Sequence, residues 1–222
     1  MEALAAELKS TGAEITVIPA DLSRPGAAAA LMKTVEQRGL AIDTLINNAG
    51  LGDTGRFDQE NPERILSMLQ VNIIALTELT RLVLPQMLAR KRGKVMLLAS
   101  LAAFQPGPGM AVYYATKSYV LSFGRAIGHE LRSTGVTTLC PGATTSEFAQ
   151  VANMRGSALF EGPTPVMTSA VARQGYAALK AGRPQIITGP INRIMAMSTR
   201  FTPTATLLMI AGHLNHPGSG QT

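Results

Sequence analysis

The sequence predicts an α/β fold, a doubly wound parallel sheet with helices on both faces. Two observations predict it. Five short apolar runs recur along the 222 residues, at 15–19 (ITVIP), 44–46 (TLI), 94–99 (KVMLLA), 136–140 (VTTLC) and 185–188 (QIIT). They are nearly continuous in β-branched and aliphatic residues, which is how a strand reads when helices cover both its faces. The second observation is that longer helical stretches separate them. Alternation at this spacing requires right-handed crossovers and a parallel sheet, and in such sheets ligands sit beyond the carboxyl ends of the strands.

The elements follow in order. Residues 2–9 read as a helix ended by Ser10-Thr11-Gly12, and no strand precedes it. Residues 27–38 form a helix that follows a Pro-Gly start and ends at Gly39. The helix over 62–92 opens on an Asn61-Pro62 cap and stops at Gly93. A helix over 112–133 ends near Gly135, and one over 169–181 leads through Arg183-Pro184 to the last strand. Residues 1–189 are expected to form a single domain, and 190–222 an apolar carboxyl-terminal helical extension and tail.

Composition narrows the function. At 46% hydrophobic and 15% charged, the chain can bury a sizeable core. A single cysteine, Cys140, excludes a disulfide framework and a thiolate metal cluster. No charge-free stretch reaches the roughly 18 apolar residues of a membrane span. The opening MEALAAELKS has no apolar signal core, so the expected location is cytoplasmic. The net charge of +6 is spread out, there is no tryptophan, and basic residues do not interleave with aromatics. Nucleic-acid binding is therefore not expected; a cationic surface suits a phosphorylated small molecule.

The chemistry gathers at strand ends. Ser100 follows the third run, then comes the loop FQPGPG, then Tyr113 and Lys117. Four residues apart on a helix, Tyr113 and Lys117 share one face. A lysine ammonium beside a phenol favours the phenolate, so the spacing predicts a Tyr113 pKa lowered toward neutrality, a change of roughly 4 kcal/mol. Such a phenol serves as a proton donor and acceptor. Ser100 could bond the same substrate oxygen. Asn72 sits mid-helix, where asparagine is disfavoured without a polar task.

Further segments fall in sequence: Ala20-Asp21-Leu22, Asn47-Asn48-Ala49-Gly50, and Pro141-Gly142 with Thr144 and Ser146. With Asn72, Ser100 and Tyr113-x-x-x-Lys117 between them, the series resembles the short-chain dehydrogenase/reductase family, closely over 1–150 and loosely beyond. The resemblance implies a Rossmann-like sheet, an NAD or NADP cofactor and a small-molecule carbonyl or alcohol substrate; a homo-oligomer is the expected assembly. It implies that Tyr113 is the general acid/base and that Lys117 holds the nicotinamide ribose. It casts Ser100 as the group that polarises the substrate oxygen and Asn72 as the holder of a water in a proton relay. By the same resemblance Asp21 and Leu22 meet the adenine, and Asn48, Ala49 and Gly50 run along the cofactor. Pro141, Gly142, Thr144 and Ser146 close over the nicotinamide, Asn47 braces the sheet, and Tyr114 packs or walls the pocket.

The family pattern begins with a strand, a Gly-rich turn, a helix and a second strand that are absent here, and NAD-versus-NADP choice goes unread with them. The expectation is an amino-terminally truncated sheet whose given start is not the natural one; the alternative is that strand 15–19 shifts beside strand 44–46. Gly50-Leu51-Gly52-Asp53-Thr54-Gly55 spells a dinucleotide fingerprint, but the next helix begins near Pro62, so it reads as a loop. Residues 151–165 read as a mobile substrate lid. Residues 190–211 are apolar and methionine-rich, interrupted by Pro203, and are open to three roles: covering the pocket, an oligomer contact, or peripheral membrane contact. The tail HPGSGQT is expected to be disordered.

Overall fold

The structure, a computed structural model, describes residues 2–131, 134–145, 148–152 and 166–215. Ser146, most of the expected lid (153–165) and the tail (216–222) lie outside them.

Among the described residues the main sheet has four strands: β1 Thr44–Asn47, β2 Lys94–Leu98, β3 Gly135–Cys140 and, after a short pair β4 Thr144–Thr145 and β5 Val166–Met167, β6 Gln185–Ile187. Their spatial order is β1-β2-β3-β6, and every pairing is parallel. The helices are α1 Glu2–Lys9, α2 Ala27–Gln37, α3 Pro62–Ala89, α4 Ala111–Glu130, α5 Phe148–Val151, α6 Thr168–Lys180, α7 Pro190–Ser198 and α8 Thr204–Asn215. Asn61 caps α3 by accepting the Glu63 N–H at 2.8 Å, as its Asn-Pro start predicts.

The sheet is covered on both faces, and period-2 alternation divides its side chains. Val95, Leu97, Val136 and Cys140 pack with Ala28 and Met32 of α2, Ala75 to Met87 of α3, and Val120 and Leu121 of α4. Met96 and Leu139 point the other way, to Val171 and Leu179 of α6. Continuous apolar strands follow from this double burial. At the β1 edge only one face is covered: Leu45 packs into the core, whereas Ile46 is 50% exposed. Asn47 donates to Thr80 Oγ1 at 3.0 Å and so ties β1 to α3.

The strand expected at 15–19 does not form. Those residues run without regular pairing, so neither a shift beside β1 nor any other sheet register is seen. Apolar composition marks a segment for strand, but a strand exists only where a neighbour meets its N–H and C=O groups. Pro203 interrupts the apolar carboxyl-terminal segment as expected: α7 ends at Ser198 and α8 begins at Thr204.

Gly124 decides how closely α4 approaches the sheet. An alanine inside a helix ordinarily gains about 0.5–1 kcal/mol over glycine. Here an added Cβ would overlap Thr138 Oγ1 and stand 3.1 Å from Leu97 Cδ1. Gly124→Ala is therefore expected to lower stability by about 1–3 kcal/mol. A urea midpoint that stays put or rises would show that this helix–sheet contact has slack.

Candidate active site

The residues singled out by sequence lie at the carboxyl ends of the strands. Asn48, Ala49 and Gly50 follow β1, Ser100 follows β2, and Pro141, Gly142 and Thr144 follow β3.

α4 places Tyr113 and Lys117 on one face, with Lys117 Nζ 5.7 Å from the phenol ring centroid. Ser100 sits in extended backbone at the start of the short turn Leu101–Phe104, its Oγ accepting the Ala102 N–H at 3.1 Å. The Ser100 hydroxyl lies near enough to the Tyr113 phenol to favour its ionised form. Lys117 Nζ donates to the Leu98 carbonyl at the end of β2, at 2.9 Å. Thus Ser100, Tyr113 and Lys117 converge, held by a strand end and one helix face.

Asn72 lies in a wider π turn, Gln70–Ala75, inside α3. Such turns break the regular ladder and aim a side chain elsewhere. Its amide clasps the backbone of Leu51, accepting the N–H and donating to the C=O, both at 2.8 Å, and donates to Thr116 Oγ1 at 3.0 Å. It therefore fixes the loop after β1 against α4. A Cβ at Gly50 would lie 3.4 Å from Lys117 Nζ and 3.5 Å from Asn72 Oδ1, so bare backbone faces both groups.

From Gly50 a groove of about 340 Å³ runs between Ala20, Asp21, Leu22, Ser23, Ala49 and, on α3, Ser67 and Val71. Asp21 accepts from the Ser23 backbone N–H at 3.1 Å and from its hydroxyl at 2.6 Å, and pairs with Arg24 at 3.2 Å. These bonds, led by the Ser23 hydroxyl, hold its carboxyl below the ordinary carboxylate range. Pro141 accepts the Leu101 N–H at 2.8 Å, joining the loop after β3 to the Ser100 turn. Thr144 Oγ1 donates to the Gly142 carbonyl at 3.0 Å. At Gly142 an added Cβ would stand 2.5 Å from the Asn192 side-chain amide of α7, which would have to move.

One expectation reverses. The Tyr113 pKa is not lowered: burial pushes the phenol up to about 12, the Ser100 hydroxyl pulling the other way and Tyr114 adding to the rise. Burial also draws Lys117 down to about 8, with Cys140 opposing. Spacing told which groups would meet; desolvation, which spacing does not encode, decides the direction.

Sequence reasoning missed three contributors. Phe148 of α5 packs on the Tyr113 ring at 5.3 Å between centroids. Thr116 receives Asn72 and donates to the Tyr113 carbonyl at 2.7 Å. Asn215, at the end of α8, is fully buried; it accepts from Tyr114 Oη at 3.2 Å and donates to the Pro108 carbonyl at 2.9 Å. It thus pins the Gly-Pro loop beside Tyr113. An asparagine closing an otherwise apolar helix was the available signal.

Residues 1–155 match the profile of the short chain dehydrogenase family. The chain belongs to that family. The oxidoreductase UcpA of Escherichia coli strain K12 is 31% identical over 154 residues, 68% of this chain and 58% of that protein. The 1-deoxy-11-beta-hydroxypentalenate dehydrogenase of Streptomyces exfoliatus is 37% identical over 151 residues, 66% of this chain and 55% of that protein. The chain thus spans little more than half the length of these curated relatives. A short-chain dehydrogenase from Sphingobium yanoikuyae, solved in complex with NADPH, superposes with a TM-score of 0.77 at 27% identity, over 90% of this chain and 79% of that one. A 7beta-hydroxysteroid dehydrogenase structure shares the fold at TM-score 0.82 and 21% identity, over 95% of this chain and 81% of that one. The Rossmann-like fold of this short-chain dehydrogenase is therefore settled.

Proposed function

We propose that the chain is an NAD(P)-dependent oxidoreductase acting on a small-molecule carbonyl or alcohol. The observation that carries this reading is the convergence of Ser100, Tyr113 and Lys117 at the end of β2, beside the groove that runs from Gly50 to Asp21.

The groove fits the cofactor at its two ends. Gly50 presents bare backbone beside Lys117 and Asn72, and Lys117 spends one donor on Leu98, leaving others for ribose hydroxyls. Asp21 offers a carboxylate and Leu22 an apolar surface to the adenine end. A bound nicotinamide supplies or accepts the hydride. Tyr113, a neutral phenol at pH 7 with its pKa near 12, donates its proton to the substrate oxygen as charge develops there. Ser100 bonds that oxygen and orients it. Lys117, still mostly protonated at pH 7 with a pKa near 8, stabilises the phenolate left behind. Asn72 holds the Gly50–Leu51 backbone where the cofactor must pass.

Incubation with NADPH or NADH and a panel of ketones, followed by cofactor absorbance, tests the reading. Consumption with at least one ketone is the expected result. The second reading is a non-catalytic relative unable to hold dinucleotide. Fluorescence titration separates the two, since saturable micromolar binding supports the enzyme and its absence supports the relative.

A further inference from the structure

α7 and α8 are packed the wrong way round for helices that only stabilise a core. Their buried side chains are small or polar: Ala196, Ala211 and Asn215. Their large apolar side chains face outward, among them Ile191, Ile194, Met197 and Ile210. Phe201, in the turn joining the two helices, is 85% exposed, and Met209 is 70% exposed. So many exposed large apolar side chains within about twenty residues mark an interaction site.

The charge of the segment says what it meets. Residues 190–215 contain Arg193 and Arg200 and no aspartate or glutamate. Both arginines are exposed. A twofold contact with a second copy would set the same patch against itself, cation facing cation. An anionic surface complements it instead. Neither helix, at 9 and 12 residues, approaches the roughly 20 that a span requires.

We propose that the outer side of α7, α8 and the turn between them is a monotopic membrane-docking surface that lies on an anionic lipid bilayer. Phe201, Met209 and Met197 enter the acyl boundary, and Arg193 and Arg200 meet the lipid phosphates. The buried side anchors this surface to the body, because Asn215 holds both Tyr114 and the Pro108 carbonyl. Leu208 of α8 also walls a cavity of about 610 Å³ bounded by the Gly-Pro loop and by Tyr114 and Ser118 of α4. The membrane face and this cavity therefore adjoin. The proposal goes beyond the oxidoreductase reading and does not depend on it.

Co-sedimentation of the full chain with vesicles tests it. The chain is expected to pellet with phosphatidylcholine–phosphatidylglycerol vesicles at low salt, to bind pure phosphatidylcholine much less, and to be released by raised salt. Arg193→Gln with Arg200→Gln should weaken partitioning by about fivefold per charge. Phe201→Ser with Met209→Ser should weaken it by about tenfold or more. Both double variants change exposed side chains, so an unchanged melting curve accompanies the expected result. A chain that stays in the supernatant with both vesicle types overturns the proposal, as does equal binding to both. A dimer in sedimentation velocity that Phe201→Ser/Met209→Ser converts to monomer, with no vesicle binding, overturns it too and assigns the face to a second copy.

Discussion

Tyr113→Phe is expected to remove turnover, by about 10²–10⁴-fold, the range typical of a lost general acid, with the fold intact. The substitution deletes one buried hydroxyl beside Ser100, so the stability cost is at most that of one hydrogen bond, about 1 kcal/mol. The ring remains, and with it the contacts to Phe148 at 5.3 Å and to Tyr114 at 6.2 Å. Ser100 keeps its bond to the Ala102 N–H. Rate and thermal midpoint should be measured on one preparation. A variant as fast as the parent removes Tyr113 from the proton-transfer step; a variant that is slow only because it has melted would show in the midpoint.

Lys117→Met should abolish activity, and its stability relative to the parent should depend on pH and be highest near pH 7. Lys117 is 5% exposed, with a pKa brought from 10.5 to about 8 by burial. Between those values the unfolded chain binds more protons than the folded one, so stability rises with pH across the window. Below pH 8 both states carry the proton, and the folded state bears the whole cost of the buried charge, about 3 kcal/mol by the pKa difference. Methionine has similar length and no charge. Methionine also gives up the bond to the Leu98 carbonyl, a cost that does not vary with pH; the stability of Lys117→Met relative to the parent in urea unfolding should thus be greatest at pH 7 and fall by about 2 kcal/mol at pH 9.5. A stability difference that does not change with pH would mean that the Lys117 charge is solvated in the folded chain. The Cys140 and Tyr113 pKa values, raised by burial to about 12, act with the opposite sign above pH 9 and pH 10. Both groups are present in parent and variant, so they largely cancel in the difference.

Much of the site was legible because it is local. The four-residue spacing of Tyr113 and Lys117 puts both on one helix face whatever surrounds the helix. Ser100, Asn48 and Pro141 could be located because apolar runs reveal where strands end, and ends are where parallel sheets receive ligands. The fingerprint-like Gly50–Gly55 segment was rejected on equally local grounds, and α3 begins at Pro62 as its Asn61 cap requires. Asn72 stood out as a misplaced asparagine, but neither its clasp on Leu51 nor its π turn could be read, since both depend on a loop 21 residues away.

Periodicity, capping and spacing therefore determined the α/β class, most of the element order and which candidate groups share a helix face, because those signals are carried by residues a few positions apart. Tertiary structure alone decided that residues 15–19 stay unpaired, that burial raises rather than lowers the Tyr113 pKa, and that Phe148 covers its ring. It also decided that Asn215 reaches back 107 residues to Pro108, while the large side chains of α7 and α8 turn outward. Each of these depends on which surfaces lose water, and that is set by contacts between segments far apart in the chain.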